Sequence, residues 1–263
     1  MKRNMSESRR TFLKKTGVAA LGVGCGWPLL KALGWTLDGG AADLPEGTKQ
    51  LAMVIDLEKC RNIPALREAC AEACHQEHNV PTKIEDPEEE VKWIWPEEHV
   101  HAFPDQVHDQ MPEALRTAPV LVLCNHCSNP PCVRVCPTQA TWRRESDGIV
   151  MMDMHRCIGC RYCIAACPYG SRSFNWKDPR PHIEKIQGDF PTRTTGVVEK
   201  CTFCEERLSR GEQPACVEAC AKRAKALTFG DAGDPNSEVR QLLDEHFTIR
   251  RKPELGTRPQ VYY

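Results

Sequence analysis

Short apolar runs separated by long polar stretches follow one another along the chain from residue 51 onward. The runs at 51–57 (LAMVIDL) and 119–124 (PVLVLC) have the length and composition of buried β-strands. Apolar runs at 141–144 and 149–153 flank Asp147-Gly148, a dipeptide that predicts a β-hairpin. Further strands are predicted at 171–176 and 226–231, and a capped helix at 237–246. The pattern predicts a loop-rich α+β chain.

A long polar stretch, residues 79–118, interrupts this pattern and contains no cysteine. Its sequence is acidic and carries Trp93 and Trp95. A run of like charges usually lies on a solvated surface, so we predict a surface insertion here. The alternative is a loop that docks a partner through the two tryptophans.

Composition adds one outlier, which is cysteine. The chain has 263 residues and 16 cysteines, and all of them except Cys25 lie between positions 60 and 220. The 20 prolines and 17 glycines predict a loop-rich chain. In such a chain we expect metal clusters to supply cohesion that a hydrophobic core would otherwise give. A net charge of −1 offers no basic footprint, so nucleic acid is not an expected partner.

Eight central cysteines form two sets of four, and each set ends in Cys-Pro. The later set, followed by Pro168, has the C-x2-C-x2-C-x3-C-P spacing of bacterial ferredoxins, and the earlier one, followed by Pro137, has two extra residues. In such motifs the fourth cysteine ligates the neighbouring cluster. The spacing therefore predicts two [4Fe–4S] clusters, one on Cys124, Cys127, Cys132 and Cys167, the other on Cys157, Cys160, Cys163 and Cys136. Structural zinc and disulfides are the alternatives, and neither matches this nested order.

Two outer cysteine sets repeat the pattern in altered form. The last set is C-x2-C-x11-C-x3-C, formed by Cys201, Cys204, Cys216 and Cys220. The first set has only Cys60, Cys70 and Cys74, with Ile63 where a second cysteine is expected. It is either a group of buried thiols or a three-cysteine cluster site, whose missing ligand His75 or His78 would supply. The helix-like sequence from Leu66 onward predicts that Cys60 is carried away from its ligand position, which favours an empty site.

The N-terminus predicts export. Residues 8–14 (SRRTFLK) match the twin-arginine signal, and an apolar region follows from residue 17 to about residue 33. We therefore expect a Tat-exported periplasmic protein with a signal helix in residues 1–42, either cleaved near Ala42 or retained as a membrane attachment. A basic amphipathic helix is the alternative.

The motifs resemble those of a known family. The segments SRRTFLK, CNHCSNPPCVRVCP, CIGCRYCIAACPYG and the late CTFC resemble the NrfC/PsrB-like periplasmic four-cluster ferredoxin-type subunits. The resemblance implies tandem ferredoxin-like units with a pseudo-two-fold arrangement, and a quinol-interacting NrfD-type integral membrane partner. It also implies one outer cluster on Cys201, Cys204, Cys216 and Cys74, and an outer site formed by Cys60, Cys70 and Cys220.

The altered first motif departs from that family pattern. Together with the sequence HQEHNVP at residues 75–81, it resembles the DsrO-like subunits of Dsr-type membrane complexes in sulfur metabolism. That resemblance implies a multihaem cytochrome c as a further partner. We expect three [4Fe–4S] clusters, with four as the alternative.

These observations predict an electron-transfer subunit with no catalytic site of its own. The expected segments are 1–42 (signal), 43–118 (first motif and insertion), 119–178 (central two-cluster unit) and 179–263 (fourth motif and tail). Two alternatives are the electron-transfer subunit of a periplasmic molybdopterin reductase of the polysulfide or dimethyl sulfoxide type, and a structural zinc-binding adaptor.

Overall fold

A computed structural model describes residues 49–263, and the predictions for the signal segment 1–42 lie outside this range. The strands in it are β1 Leu51–Ile55, β2 Ile94–Glu98, β3 Pro119–Leu123, β4 Thr141–Arg143, β5 Val150–Met152, β6 Ser173–Phe174, β7 Val198–Glu199, β8 Leu227–Asp231 and β9 Val261–Tyr262. The α-helices are α1 Leu57–Asn62, α2 Pro64–Glu77, α3 His99–Ala102, α4 Glu113–Arg116, α5 Pro131–Arg134, α6 Tyr162–Ala166, α7 Glu205–Leu208, α8 Ala215–Ala221 and α9 Glu238–Glu245. Short 3-10 turns lie at Pro87–Glu89, Pro104–Gln106, Arg180–His182 and Pro253–Leu255. Most elements are short and joined by loops, which confirms the α+β prediction.

The strands form one three-stranded sheet and three two-stranded ones. The larger sheet has the order β8-β1-β9, with β8 antiparallel and β9 parallel to β1. The other sheets are the antiparallel pairs β2-β3, β4-β5 and β6-β7. The pair β4-β5 is the predicted hairpin, with Trp142 opposite Met151. The strands predicted at 51–57, 119–124 and 226–231 are confirmed, whereas 171–176 is reduced to the two residues of β6.

The longest helix, α2, places the first motif against the fourth. Its buried residues Leu66, Ala69, Cys70 and Cys74 recur every three or four positions, so they share one face. Pro64 occupies the first turn, where its missing N–H leaves no bond unmade. That face packs against α8, which carries Cys216 and Cys220.

The predicted surface insertion is wrong for the middle of residues 79–118. The parts around residues 82–90 and 104–117 are largely exposed, whereas Trp93, Ile94 and Trp95 are buried. Strand β2 pairs with β3 in the core, with Ile94 opposite Leu123. The Trp93 ring stacks on His78, with ring centroids 4.7 Å apart. An apolar strand within an acidic stretch was missed because the charge run dominated the local pattern.

A buried carboxylate, Glu199, ties three segments together. It accepts hydrogen bonds from Trp93 Nε1 at 2.7 Å and from Asn175 Nδ2 at 2.5 Å. It also pairs with Arg193 at 2.6 Å, and both side chains are fully buried. Arg193 in turn donates to the carbonyl oxygens of His78 and Asn79. This network connects the segment around Trp93 and the C-terminal end of α2 to the β6-β7 pair.

The C-terminal helix α9 begins as predicted. Ser237 precedes it in extended geometry, and its hydroxyl accepts from the Arg240 N–H at 3.1 Å. That contact satisfies one N–H that the first turn leaves unpaired. In residues 49–263, none of the helices has the length and apolar character needed to cross a bilayer.

Candidate metal-cluster sites

Three of the cysteine motifs share a backbone feature. The residue directly before the second cysteine of each C-x2-C has a positive φ: 41° at His126, 68° at Gly159 and 58° at Phe203. At Gly159 a side chain would overlap the carbonyl oxygen of Gly196, so glycine is required there. The left-handed step turns the chain sharply between two ligand positions. It is the local geometry that a loop wrapped around a metal cluster needs.

The second-motif site, defined as Cys124, Cys127, Cys132 and Cys167, brings together the four thiols that the spacing grouped. Burial raises the pKa of Cys127, and the charges of the other three thiols raise it further. Burial likewise raises the pKa of Cys167, with Cys124 and Cys132 as neighbours. Thiols that mutually oppose ionisation lie close together, and a bound cation would relieve that repulsion.

The third-motif site comprises Cys136, Cys157, Cys160 and Cys163. Cys136 and Cys157 pack against the buried cluster that contains Cys163. Burial raises the pKa of Cys163, and the charge of Cys157 adds to the rise. Burial also acts to raise the pKa of Cys136, but hydrogen bonds from Thr141, Thr138 and Ala140 hold it below the usual value. The backbone N–H of Val198 donates to Cys157 Sγ at 3.5 Å.

The fourth-motif site comprises Cys74, Cys201, Cys204 and Cys216. Burial raises the pKa of Cys74 well above its usual value, and Cys201, Cys204 and Cys216 add to the rise. Backbone N–H groups donate to two of the sulfurs, from Phe203 to Cys201 and from Ala215 to Cys204, both at 3.4 Å. The cysteine contributed by α2 therefore meets the three from the fourth motif.

His78 belongs to the surroundings of the fourth-motif site. Its Nδ1 lies 3.8 Å from Cys74 Sγ and 2.9 Å from the Cys74 carbonyl oxygen, and its Nε2 lies 2.7 Å from Glu206. One ligand atom each from His78, Cys204 and Glu206 falls within 4.8 Å of the others. His75 lies beside Ile94 and Glu90, and burial lowers its pKa to about 4. With these contacts, neither His75 nor His78 supplies the missing ligand of the first motif.

The first-motif site comprises Cys60, Cys70 and Cys220. Burial raises the pKa of Cys60 to about 12, with the charge of Cys220 as the next cause. A hydrogen bond with Cys70 lowers the pKa of Cys220, whose sulfur also accepts from Ala226 N–H at 3.0 Å and Leu227 N–H at 3.2 Å. All three side chains are buried.

The expectation that Cys60 is carried away from its ligand position is wrong. A continuous helix would do that, but α1 ends at Asn62 and α2 begins at Pro64. Proline disfavours helical geometry in the residue before it, so the chain turns at Ile63. Each helix then brings its own cysteine to Cys220. Three thiols meet here, and all three cysteines of the first motif lie on helices instead of in a C-x2-C loop.

The four sites form a row. A hydrogen bond with Cys220 raises the pKa of Cys70 in the first-motif site, and the charge of Cys216 in the fourth-motif site adds to the rise. Burial raises the pKa of Cys201 in the fourth-motif site, and the charge of Cys124 in the second-motif site adds to the rise. Burial raises the pKa of Cys163 in the third-motif site, and the charge of Cys132 in the second-motif site adds to the rise. The order in space is therefore first, fourth, second and third.

Burial differs between the two ends of this row. The cysteines of the first-motif and fourth-motif sites are all buried, whereas Cys136, Cys157 and Cys160 are half-buried. Several large apolar side chains near the third-motif site are exposed: Val135 37%, Trp142 37%, Ile158 67%, Tyr162 62% and Trp176 47%. Among the aromatic side chains near cysteines in sequence, Tyr169 and Phe203 are buried, which fits the expected role of excluding water, whereas the exposure of Trp142, Tyr162 and Trp176 does not. The third-motif end of the row lies beneath an apolar surface.

The donor chemistry fits [4Fe–4S] clusters at three sites. Each of the second-, third- and fourth-motif sites offers four cysteines, the usual ligand set of such a cluster. The fifteen cysteines within residues 49–263 are all free thiols. Backbone N–H groups aimed at sulfur favour the thiolate form that binds metal.

Comparison with known proteins agrees with this chemistry. The sequence profile of the 4Fe-4S dicluster domain matches residues 119–193 and 187–232. The chain is 40% identical to the Hdr-like menaquinol oxidoreductase iron-sulfur subunit 1 of Archaeoglobus fulgidus, over 97% of both chains. It is 37% identical to the menaquinone reductase iron-sulfur cluster-binding subunit of Nitratidesulfovibrio vulgaris, over 80% of this chain and 87% of the relative. It is 36% identical to protein NrfC of Escherichia coli, over 98% and 95%. The predicted [4Fe–4S] cofactor and the NrfC-like resemblance are confirmed.

Proposed function

This chain belongs to the NrfC-like family of 4Fe-4S dicluster iron-sulfur subunits, and from that premise we propose that it relays electrons in a Dsr-type membrane complex of sulfur metabolism. Its partners would be a quinol-interacting NrfD-type membrane subunit and a multihaem cytochrome c. The chain would carry electrons between them and perform no substrate chemistry of its own.

The observation that carries this proposal is the row of cysteine sites. In each pair of neighbouring sites, the charge of one thiol raises the pKa of a thiol in the other site. Cys70 and Cys216 form this pair at one end, and Cys132 and Cys163 form it at the other. Clusters bound at such sites would supply one-electron redox chemistry. The protein's own contribution is to hold the thiolates, to donate N–H groups to their sulfurs and to keep water away from the inner sites.

We propose that the third-motif site is where electrons pass to or from a partner. It is the end of the row with half-buried cysteines, and the exposed apolar surface surrounds it. Three cations, Arg134, Arg156 and Arg161, are exposed on the same segments. Arg161 lies over the ring of Trp176 at 4.8 Å. An apolar partner face with carboxylates at its rim would complement this surface.

The direct test is reduction by a quinol. The purified complex and the isolated subunit receive the same menaquinol analogue under anaerobic conditions, and cluster absorbance near 400 nm is followed. We expect reduction only when the NrfD-type subunit is present, because the described residues include no membrane-crossing helix to bring the chain to a quinol in the bilayer. Equal reduction of the isolated subunit contradicts the proposal.

A variant pair tests the exchange surface. Ile158→Asp places a charge on the exposed apolar surface and should slow quinol-dependent reduction while leaving iron content unchanged. Ile186→Asp makes the same change at a side chain that is 53% exposed in another segment, near the cavity lined by Lys185, Gln187 and His75. Equal rates for the two variants argue against this surface as the site of exchange.

We also propose that the chain is exported folded by the twin-arginine route to the periplasmic side of the membrane. Arg9→Lys combined with Arg10→Lys should leave the protein in the cytoplasm with its clusters bound, because the export machinery reads the paired arginines. Cell fractionation with iron analysis of each fraction measures this. Normal periplasmic delivery of the double variant refutes the proposal.

A further inference from the structure

Arg172 is a buried cation between two cysteine sites. Its side chain is only 4% exposed. Its Nη2 donates to Cys132 Sγ at 3.0 Å and to Thr141 Oγ1 at 2.9 Å, and its Nη1 lies 3.7 Å from Met152 Sδ. Burial raises the pKa of Cys163, and Arg172 opposes that rise through its charge and a hydrogen bond. The guanidinium therefore contacts a ligand of the second-motif site directly, and Cys163 of the third-motif site lies with Cys132 in the same buried cluster.

Sulfur ligands are the charged neighbours of this arginine. Two other buried or half-buried arginines pair with carboxylates: Arg193 with Glu199 and Arg144 with Asp147. Among residues 49–263, no carboxylate lies within 4.0 Å of the Arg172 guanidinium. The charges that favour its cationic form are those of Cys132, Cys163 and Cys124. A buried cation without a counter-charge is very costly, so its position presupposes negative charge on the two sites it faces.

Lys200, another cation buried near these sites, is bonded differently. It is fully buried, and its ammonium donates to the carbonyl oxygens of Val150 and Cys201. Burial lowers its pKa. Of the two cations, Arg172 is the one that contacts sulfur directly.

Resting on the proposed function, we propose that Arg172 raises the reduction potentials of the second-motif and third-motif clusters together. Net charge and hydrogen bonds to the sulfurs are among the factors that set such potentials. Each reduction adds one electron and one negative charge, which a neighbouring cation stabilises. No proton accompanies the electron at Arg172, because the guanidinium is already protonated. Because one cation lies near both sites, its charge moves both potentials in the same direction.

The test is an anaerobic potentiometric titration of the isolated subunit, followed by electron paramagnetic resonance. Arg172→Gln should lower the ratio of reduced to oxidised protein at a fixed poise by about tenfold at both sites, a shift of about 59 mV for one electron. The fourth-motif site should keep its wild-type ratio. Arg172→Lys retains a positive charge and should restore most of the ratio. Signals are assigned to sites with Cys132→Ser and Cys136→Ser.

The matched control is Arg180→Gln. It removes the same charge from a side chain that is 53% exposed and pairs with Asp178, and it should leave every potential unchanged. Wild-type ratios at both sites in Arg172→Gln with full iron content overturn the proposal. A shift confined to one site overturns the claim that the cation serves both.

A second measurement uses the unaltered protein, so its result does not depend on whether the variants fold. Protein labelled with 15N in the arginine guanidinium is reduced, and pulsed electron paramagnetic resonance records couplings to nitrogen. We expect a 15N coupling at both the second-motif and the third-motif signals, and its absence from either one overturns the proposal. These measurements need no partner, so they fail independently of the quinol test. Absence of iron would refute the proposed function instead.

Discussion

Replacing Cys136 with serine should empty or degrade the third-motif site while the second-motif site keeps its cluster. The thiolate is the ligand that iron–sulfur clusters require, and serine does not supply one. Iron content should fall from about 12 to about 8 per chain if the whole cluster is lost. Metal analysis and Mössbauer spectroscopy of the anaerobic protein measure the loss. The effect on electron transfer should be complete, because this site ends the row.

The matched control lies four residues earlier in the same motif. The charge of Cys132 adds to the rise that burial causes in the pKa of Cys127 and of Cys167. Cys132→Ser should therefore damage the second-motif site instead. The two variants differ only in which cysteine of one motif is lost. If both damage the same cluster, the exchange of ligands between motifs is wrong.

Glu199→Gln should cost about 3–5 kcal/mol of stability, because it leaves the buried Arg193 without its counter-charge. It also weakens the acceptor shared by Trp93 and Asn175. At about 2–4 °C for each kcal/mol in a chain of this size, the apparent Tm at a fixed scan rate should fall by about 10 °C. Anaerobic circular dichroism measures this change.

Glu184→Gln is the control for that change. Its carboxylate is 75% exposed and lies 4.0 Å from Lys83, so neutralising it should have little effect. A Tm for Glu199→Gln that equals that of the control would contradict the role given to this network. Loss of iron in Glu199→Gln before unfolding would instead show that the network stabilises the fourth-motif site nearby.

Cysteine spacing predicts the central grouping because ligand geometry is local. A C-x2-C loop needs one tight turn, and the same left-handed step occurs at His126, Gly159 and Phe203. The hairpin between the two central motifs was equally readable, since Asp147-Gly148 sits between two β-prone runs. Short-range constraints of this kind leave a pattern in the sequence.

Long-range polar contacts left no such pattern. Arg172 and Cys132 are 40 residues apart, and Trp93 and Glu199 are 106 apart. The burial of Trp93 depends on β2 pairing with β3 and on a carboxylate from β7, neither of which the acidic stretch around it reveals. An apolar Trp-Ile-Trp segment at residues 93–95 was the available signal for a buried strand.

The first motif shows a limit of a different kind. The sequence pattern predicts the helix of the first motif, but the break at Ile63 and Pro64 decides where Cys60 lies. The expectation of an empty or incomplete site is kept, because the fourth cysteine near these thiols, Cys216, is assigned to the fourth-motif site. Since the displacement of Cys60 is wrong, the prediction of three clusters rests on the missing cysteine at Ile63 and on the helices that replace the C-x2-C loop.

Iron-edge anomalous diffraction from crystals of the anaerobically purified protein tests the central claim most directly. The account predicts iron at the second-motif, third-motif and fourth-motif sites, about 12 atoms per chain, with none between Cys60, Cys70 and Cys220. A fourth cluster there, giving about 16 irons, would contradict the expected number. Zinc at these cysteines, or iron absent from any of the three sites, would contradict the electron-relay account itself.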